Sequence, residues 1–246
     1  MIAHVMPENP TYAPSDAARY AIYFVPAADS ALYRFGAATL GYDCFTGADV
    51  ALPDALPVDD GTWGELTAEP RRYGFHATLK APFRLAAECD EPALVRAFTD
   101  FARATATVPA IAPVVRSLAH FIAIVPARRN GELDRLAASC VRDFDRFRAP
   151  LNDADSARRR VAGLSARQAE NLERWGYPYV FEEFRFHMTL TGALSSERQA
   201  PLRAWLEDAF RRRHGGGPVS IDRITLVRQD RPDRRFVREA PIGTVK

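Results

Sequence analysis

Residues 73–83 read YGFHATLKAPF, and residues 184–191 read FRFHMTLT. Each is an apolar-alternating run with a His-x-Thr-Leu inside it. Side chains alternate across a strand with period two. In the first run Phe75, Ala77 and Leu79 therefore take one face, and His76, Thr78 and Lys80 the other. In the second, Phe184, Phe186, Met188 and Leu190 share the apolar face, opposite Glu183, Arg185, His187, Thr189 and Thr191. A single His-x-Thr carries little information, because a strand histidine is more often hydrogen-bonded in place for structure. Two copies on two alternating strands carry far more. The apolar faces need helices over them; the polar faces need water or a cleft.

Outward from these runs, one order of elements occurs twice. Residues 20–26 (YAIYFVP) are apolar on both faces, as in a central strand. Asp29 or Ser30 is placed to cap a helix bearing Leu32, Phe35 and Leu40, stopped by Gly41. Residues 42–72, rich in Pro, Gly and Asp, read as a long irregular insert running into the first motif, with a role as a lid left open. Asp90 then caps a helix with Pro92 in its first turn and Leu94, Phe98 and Phe101 on one face. Short strands are expected over 111–116 and 121–125.

There the pattern restarts: FIAIVPA at 121–127 echoes YAIYFVPA at 20–27. A helix lined by Leu133, Leu136, Cys140, Phe144 and Phe147 follows, then an Arg-rich irregular segment over 149–164. Ser165 and Gln168 form a capping box for a short helix ending at Trp175-Gly176. After the second motif, a helix from about Ser196 carries Leu202, Trp205, Leu206, Ala209 and Phe210 to a Gly stop at 215–217. Two strands, roughly 219–228 and 234–239, close the chain around an Asp-Arg-Pro-Asp turn. The doubled order implies an internal duplication. The fold class expected is α+β and bilobal: two antiparallel-sheet lobes with outer helices, related by a pseudo-two-fold, with a cleft between them. A loosely ordered arm over 1–19, with three prolines, precedes one domain over 20–246, its repeats spanning about 20–117 and 118–246.

Composition excludes several classes. Apolar residues make up 47% and charged residues 26%, the profile of a globular protein able to bury a core. No apolar run approaches the roughly 20 residues that span a bilayer, and no basic start precedes an apolar stretch. The expectation is a cytoplasmic protein without membrane contact. Cys44, Cys89 and Cys140 are scattered with no C-x-x-C, as reduced packing residues would be. A net charge of +2 argues against a long nucleic-acid footprint. Lys80 and Lys246 are the only lysines among many arginines. Codon bias explains most of that, yet Lys80 lies two residues after the first His-x-Thr.

A two-fold between lobes would bring both polar faces together, placing two histidines and two threonines around one pocket. In-line displacement at a phosphodiester needs a base near the entering oxygen and an acid near the leaving one. Histidine fills either role near neutral pH, and a threonine hydroxyl sharing its face can donate to a non-bridging oxygen. A cyclic phosphodiester, compact and strained, suits such a pocket. His76 and His187 as metal ligands rank lower, since neither motif supplies a second His or carboxylate at ligand spacing. His4, His120 and His214 read as incidental. Arg228, Arg231, Arg234 and Arg235 read as a solvated sheet edge in preference to a phosphate-binding rim.

The paired His76-Ala-Thr78-Leu and His187-Met-Thr189-Leu motifs resemble those of the 2H phosphoesterase superfamily. The fuller runs YGFHATLKAPF and RWGYPYVFEEFRFHMTLTG look like its DUF1045 branch, associated with phosphonate utilisation in bacteria. The resemblance covers nearly the whole chain from Tyr20. It implies a bilobal fold and cofactor-free, metal-independent attack on a small cyclic phosphodiester. His76 and His187 would be acid and base, with Thr78 and Thr189 holding phosphate. The branch's setting points to a cyclic phosphate of ribose released by carbon–phosphorus bond cleavage. Lys80, Arg185, Tyr177 and Tyr179 are further candidate substrate contacts, and Tyr73 a candidate stacking residue. Two other readings stay open: an RNA-end enzyme for 2′,3′-cyclic phosphates or 2′-5′ linkages, meeting nucleic acid only as short RNA ends, and a non-enzymatic module binding a phosphorylated sugar or nucleotide. Which histidine is acid, and the oligomeric state, are not fixed by sequence.

Overall fold

A computed structural model describes residues 18–152, 155–156, 159–160, 163–230, 237–238 and 243–244. Nearly all of the expected N-terminal arm, together with Arg231, Arg234, Arg235 and Lys246, lies outside them.

The first motif is a strand for only part of its length: β2 is Ala77–Arg84, with His76 at its entrance. It pairs antiparallel with β1 (Arg19–Phe24) in the register Phe24↔Ala77, Tyr23↔Thr78, Ile22↔Lys80. One step of β1, from Tyr23 to Ile22, thus spans two steps of β2, which is a bulge at Leu79. Tyr23 and Ile22 point to opposite faces, so Lys80 leaves the face of His76 and Thr78.

The other neighbour of β2 is β6 (Met188–Thr189), joined at Ala77↔Met188. The strand expected over 184–191 shrinks to these two residues. Before it, a 3-10 turn (Phe181–Glu183) holds Phe181 at φ 54°, and 184–187 are irregular. β5 (Phe121–Pro126) pairs with β6, and β4 (Pro113–Leu118) with β5. Beyond β1 lies β8 (Arg223–Gln229), flanked by β9 (Val237–Arg238) and β10 (Gly243–Thr244). The sheet runs β10-β8-β1-β2-β6-β5-β4, with β9 also on β8. Every pair in it is antiparallel. The fold is α+β, and one sheet passes through the junction where two lobes were expected to face each other. A ribbon of β3 (Ala110–Ile111) and β7 (Val219–Ser220) stands apart.

Local signals set the helices. Ser30 caps α1 (Ala31–Leu40) by accepting from the Tyr33 N–H, and Gly41 ends it in the left-handed region. Asp90 caps α3 (Glu91–Ala104), and Asn130 caps α4 (Gly131–Asp143). Phe144 and Phe147, expected on α4, fall just beyond its end and are still buried. Both halves of the Ser165–Gln168 capping box are present at α5 (Ala166–Trp175), and α6 is Ser196–His214. The insert over 42–72 is not irregular throughout. It contains α2 (Asp60–Arg71), capped by Asp59. Gly61, Gly64 and Pro70 mask this helix in the sequence, yet Trp63, Thr67 and Pro70 form one buried stripe. Trp63 is fully buried, donating its indole N–H to the Thr39 carbonyl at 2.8 Å and meeting Trp205 of α6 edge-on. α4 packs over β2, α6 over β4, and α3 over β8.

Gly36 of α1 is where that helix touches the motif, for a Cβ there would lie 2.1 Å from the Phe75 ring. Gly36→Ala is expected to destabilise the fold by about 1–3 kcal/mol. An unchanged denaturation midpoint would contradict the contact. None of the three cysteines is in a disulfide, and Cys44 and Cys140 are buried. Among the described residues no helix is long and apolar enough to cross a membrane.

Candidate active site

His76, Thr78, His187 and Thr189 line one cleft of about 580 Å³. The ladder explains their convergence. With Ala77 opposite Met188, one step either way sets His76 opposite Thr189 and Thr78 opposite His187. Directly opposite side chains have Cβ atoms about 5 Å apart. The local two-fold of an antiparallel pair, taken at this pair, exchanges the two histidines and the two threonines.

Each imidazole is anchored in the same manner. His76 Nδ1 lies 2.8 Å from the Gly74 carbonyl, and His187 Nδ1 lies 2.7 Å from the Arg185 carbonyl. A carbonyl oxygen only accepts, so Nδ1 carries the proton in both rings. Nε2 then holds the lone pair, and in His76 it meets the Thr78 hydroxyl at 3.3 Å. Gly74 has φ +75°, and a Cβ on it would lie 2.6 Å from Cys44 Cβ, so this carbonyl anchor needs glycine. Burial pushes both histidines below the ordinary imidazole value, His76 to about 4, with the neighbouring His187 lowering it further. Both rings are therefore neutral at pH 7.

The two environments differ. The Tyr23 ring stacks on His76 with centroids 3.7 Å apart, whereas Phe121 leans on His187 at 5.6 Å. Tyr23 is buried, and burial raises its phenol well above the usual range, keeping it protonated. Tyr23→Ala should admit water to His76 and raise its pKa from about 4 toward 6.5, read from ring-proton chemical shifts in an NMR pH titration. An unmoved titration would remove Tyr23 from this role.

The other candidates separate. Lys80 is buried on the far side of β2, donating to the Val141 carbonyl at 3.0 Å and facing Asp145 at 3.5 Å. It does not line the cleft. Arg185 contributes its carbonyl to His187, while its exposed guanidinium donates to the carbonyls of Glu182 and Phe184. Tyr177 and Tyr73 line the cleft, Tyr73 meeting His76 edge-on at 6.5 Å. Tyr179, 46% exposed, lines a neighbouring apolar chamber with Leu118 and Phe181. His120, read as incidental, sits on the cleft rim in the turn joining β4 to β5. Thr191 reaches the cleft, but its hydroxyl accepts from Ile122 N–H at 3.0 Å and donates to the Gly192 carbonyl, pinning β5.

Tyr23, Arg19 and Arg159 line the cleft although nothing in their local sequence marks them. Glu69 and Pro70 of α2 wall its opposite end, where Gly192 N–H donates to the Leu66 carbonyl at 2.7 Å. Among the described residues no three His, Cys, Asp or Glu side chains gather as a metal site would require.

A family model described as a protein of unknown function, DUF1045, matches residues 78–237. A curated relative named ribose 1,5-bisphosphate phosphokinase PhnN, from Janthinobacterium sp. (strain Marseille), is 40% identical over 225 residues, which is 89% of this chain and 49% of the relative. One of the same name from Laribacter hongkongensis (strain HLHK9) is 38% identical over 192 residues, 78% of this chain and 43% of the relative. The chain thus spans about half the length of the curated relatives it matches.

Proposed function

The chain belongs to the DUF1045 family, and from that premise we propose that it is a metal-independent phosphodiesterase opening a small cyclic phosphodiester of ribose in phosphonate breakdown. The observation that carries this reading is the pair of imidazoles, each with Nδ1 tied to the carbonyl two residues back, facing one cleft with a threonine beside each. A water oxygen attacks phosphorus as one Nε2 takes its proton. The other imidazole, protonated once the anionic substrate raises its pKa, gives a proton to the leaving sugar oxygen. The P–O bond of the ring breaks, leaving a phosphomonoester, while Thr78 and Thr189 donate to the non-bridging oxygens.

The internal duplication belongs to the same proposal, and the ladders support it. The Val-Pro-Ala echo makes Phe24 equivalent to Ile124 and Tyr23 to Ala123. Phe24 pairs with Ala77 and Ile124 with Met188; Tyr23 pairs with Thr78 and Ala123 with Thr189. The helix after each motif packs on the opposite outer strand, α3 on β8 and α6 on β4.

The name of the relatives offers a second reading, phosphorylation of ribose 1,5-bisphosphate. It describes proteins about twice this length. This sequence has two lysines and no G-x-x-x-x-G-K-[S/T] loop, a common means of gripping a nucleotide triphosphate. The name favours instead a pentose phosphate as the chemistry shared with those relatives.

The test is a panel of ribose and nucleoside cyclic phosphates, assayed with and without EDTA. Turnover of at least one, unchanged by the chelator, is expected. Tight binding without turnover of any would favour the binding-module reading, and abolition by EDTA would overturn the metal-free mechanism.

A further inference from the structure

We infer that the cleft contains a second anion subsite, formed by Arg19 and Arg159, that takes a phosphomonoester carried on the same sugar as the cyclic phosphodiester. This rests on the phosphodiesterase reading for its substrate but on separate residues for its site. Along β2 the cleft is polarised. Beyond the His76 and Thr78 positions, its Gly74 end carries Glu69, and its Pro82 end carries Arg19 and Arg159.

Both guanidinium groups are held in place. Arg19 Nε donates to Gln229 Oε1 at 2.9 Å, and Gln229 is itself buried and the cross-strand partner of Arg19. Arg159 donates to the Pro82 carbonyl at 2.8 Å and to the Gly176 carbonyl, with its guanidinium carbon 5.8 Å from the Tyr177 ring centre. Their charge reaches the cleft wall. Arg19 partly offsets the burial that raises the Tyr23 phenol, and Arg159 does the same for Tyr177.

The spacing suits one small sugar. Thr78 pairs with Tyr23, and Arg19 lies four residues further along β1, which is about 13 Å of strand. That is the span of one pentose ring with its two phosphates and a hydrogen bond of about 3 Å at each end. A planar guanidinium fork is the donor suited to a phosphate dianion, and a pair of them also fixes which end of the substrate meets the histidines.

Two measurements test it. Ribose 5-phosphate, which has no cyclic phosphodiester to open, is titrated calorimetrically into the wild type, Arg19→Gln, Arg159→Gln and His76→Ala. Each arginine variant is expected to weaken binding about 10- to 100-fold, and His76→Ala to change it much less. Equal affinity in the wild type and in either folded arginine variant would overturn the subsite; having two separate variants guards against one failing to fold. The second measurement compares kcat/KM for a ribose cyclic phosphate with and without a 5-phosphate. A preference for the phosphorylated compound, reduced in the variants by a similar factor, is expected. A preference for a nucleoside 2′,3′-cyclic phosphate would overturn it, pointing instead to a base in the chamber beside Tyr179. Binding of ribose 5-phosphate without turnover of any cyclic phosphate would refute the phosphodiesterase reading and leave the subsite standing.

Discussion

His76→Ala and His187→Ala are each expected to lower turnover of a cyclic phosphodiester about 10²- to 10⁴-fold. The double variant should fall little further than the worse of the two singles. In the proposed mechanism acid and base serve one transition state, and once either is gone the other has no concerted step to join. Both rings sit at the cleft surface, partly exposed, so neither truncation opens a core cavity. Loss of activity should therefore come without loss of fold, checked by initial rates beside denaturation midpoints. Near-wild-type rates in both single variants would end the phosphodiesterase reading.

The depressed histidine values make the same pair visible in pH dependence. On the proposed mechanism, kcat/KM requires a free enzyme with one imidazole protonated and the other neutral. His76 titrates near 4, and His187 lies below its ordinary 6.5. The optimum is therefore expected on the acid side of 6.5. Stability runs the other way. Between about 4 and 6.5 the unfolded chain binds a proton that the folded His76 refuses, so stability is intact above 6.5 and is lost as pH falls through this window. The contribution is at most about 3 kcal/mol. His76→Ala should accordingly be more acid-tolerant than the wild type.

The sequence exposes the core of this site because a His-x-Thr on an alternating strand fixes its own faces. His76, Thr78, His187 and Thr189 needed only the pairing of their strands to converge. Caps were equally legible: Ser30, Asp90 and the Ser165–Gln168 box each act through a hydrogen bond a few residues away. What stayed hidden depends on distant partners. Alternation assigns Lys80 to the site, but the bulge at Leu79 arises in the pairing with β1 and cannot be seen in β2 alone. Alternation likewise extends the second motif over eight residues, whereas the backbone before His187 leaves the sheet. There the Arg185 carbonyl serves the imidazole. Tyr23 hides in an apolar run whose every residue reads as core. Arg19 and Arg159 lie among many other arginines, and only the shape of the cleft separates them.

Asp145→Ala is expected to cost about 2–3 kcal/mol, because it removes the partner of two cations at once. Its carboxylate takes Arg148 Nε at 2.8 Å and stands 3.5 Å from Lys80 Nζ. Lys80 is almost fully buried and keeps the Val141 carbonyl and the face of the Phe83 ring, 5.4 Å away, if Asp145 is removed. Lys80→Met is expected to be neutral or mildly stabilising. The methionine fills the stem's volume beside Phe83 and Cys140, while Asp145 keeps Arg148. The asymmetry is the signature of a buried cation whose burial cost its partner only partly offsets. Burial lowers the Lys80 pKa to about 8, more than Asp145 raises it. Between about 8 and 10.5 the unfolded chain therefore holds a proton that the folded one has released. The penalty is present in full below 8 and disappears as pH rises through this window, so the wild type should gain stability there. Lys80→Met should flatten that rise. Because Lys80 lies across the sheet from His76, the same variant should keep wild-type kcat. A variant that folds but loses turnover would return Lys80 to the site and refute the bulge at Leu79 as the reason it lies elsewhere.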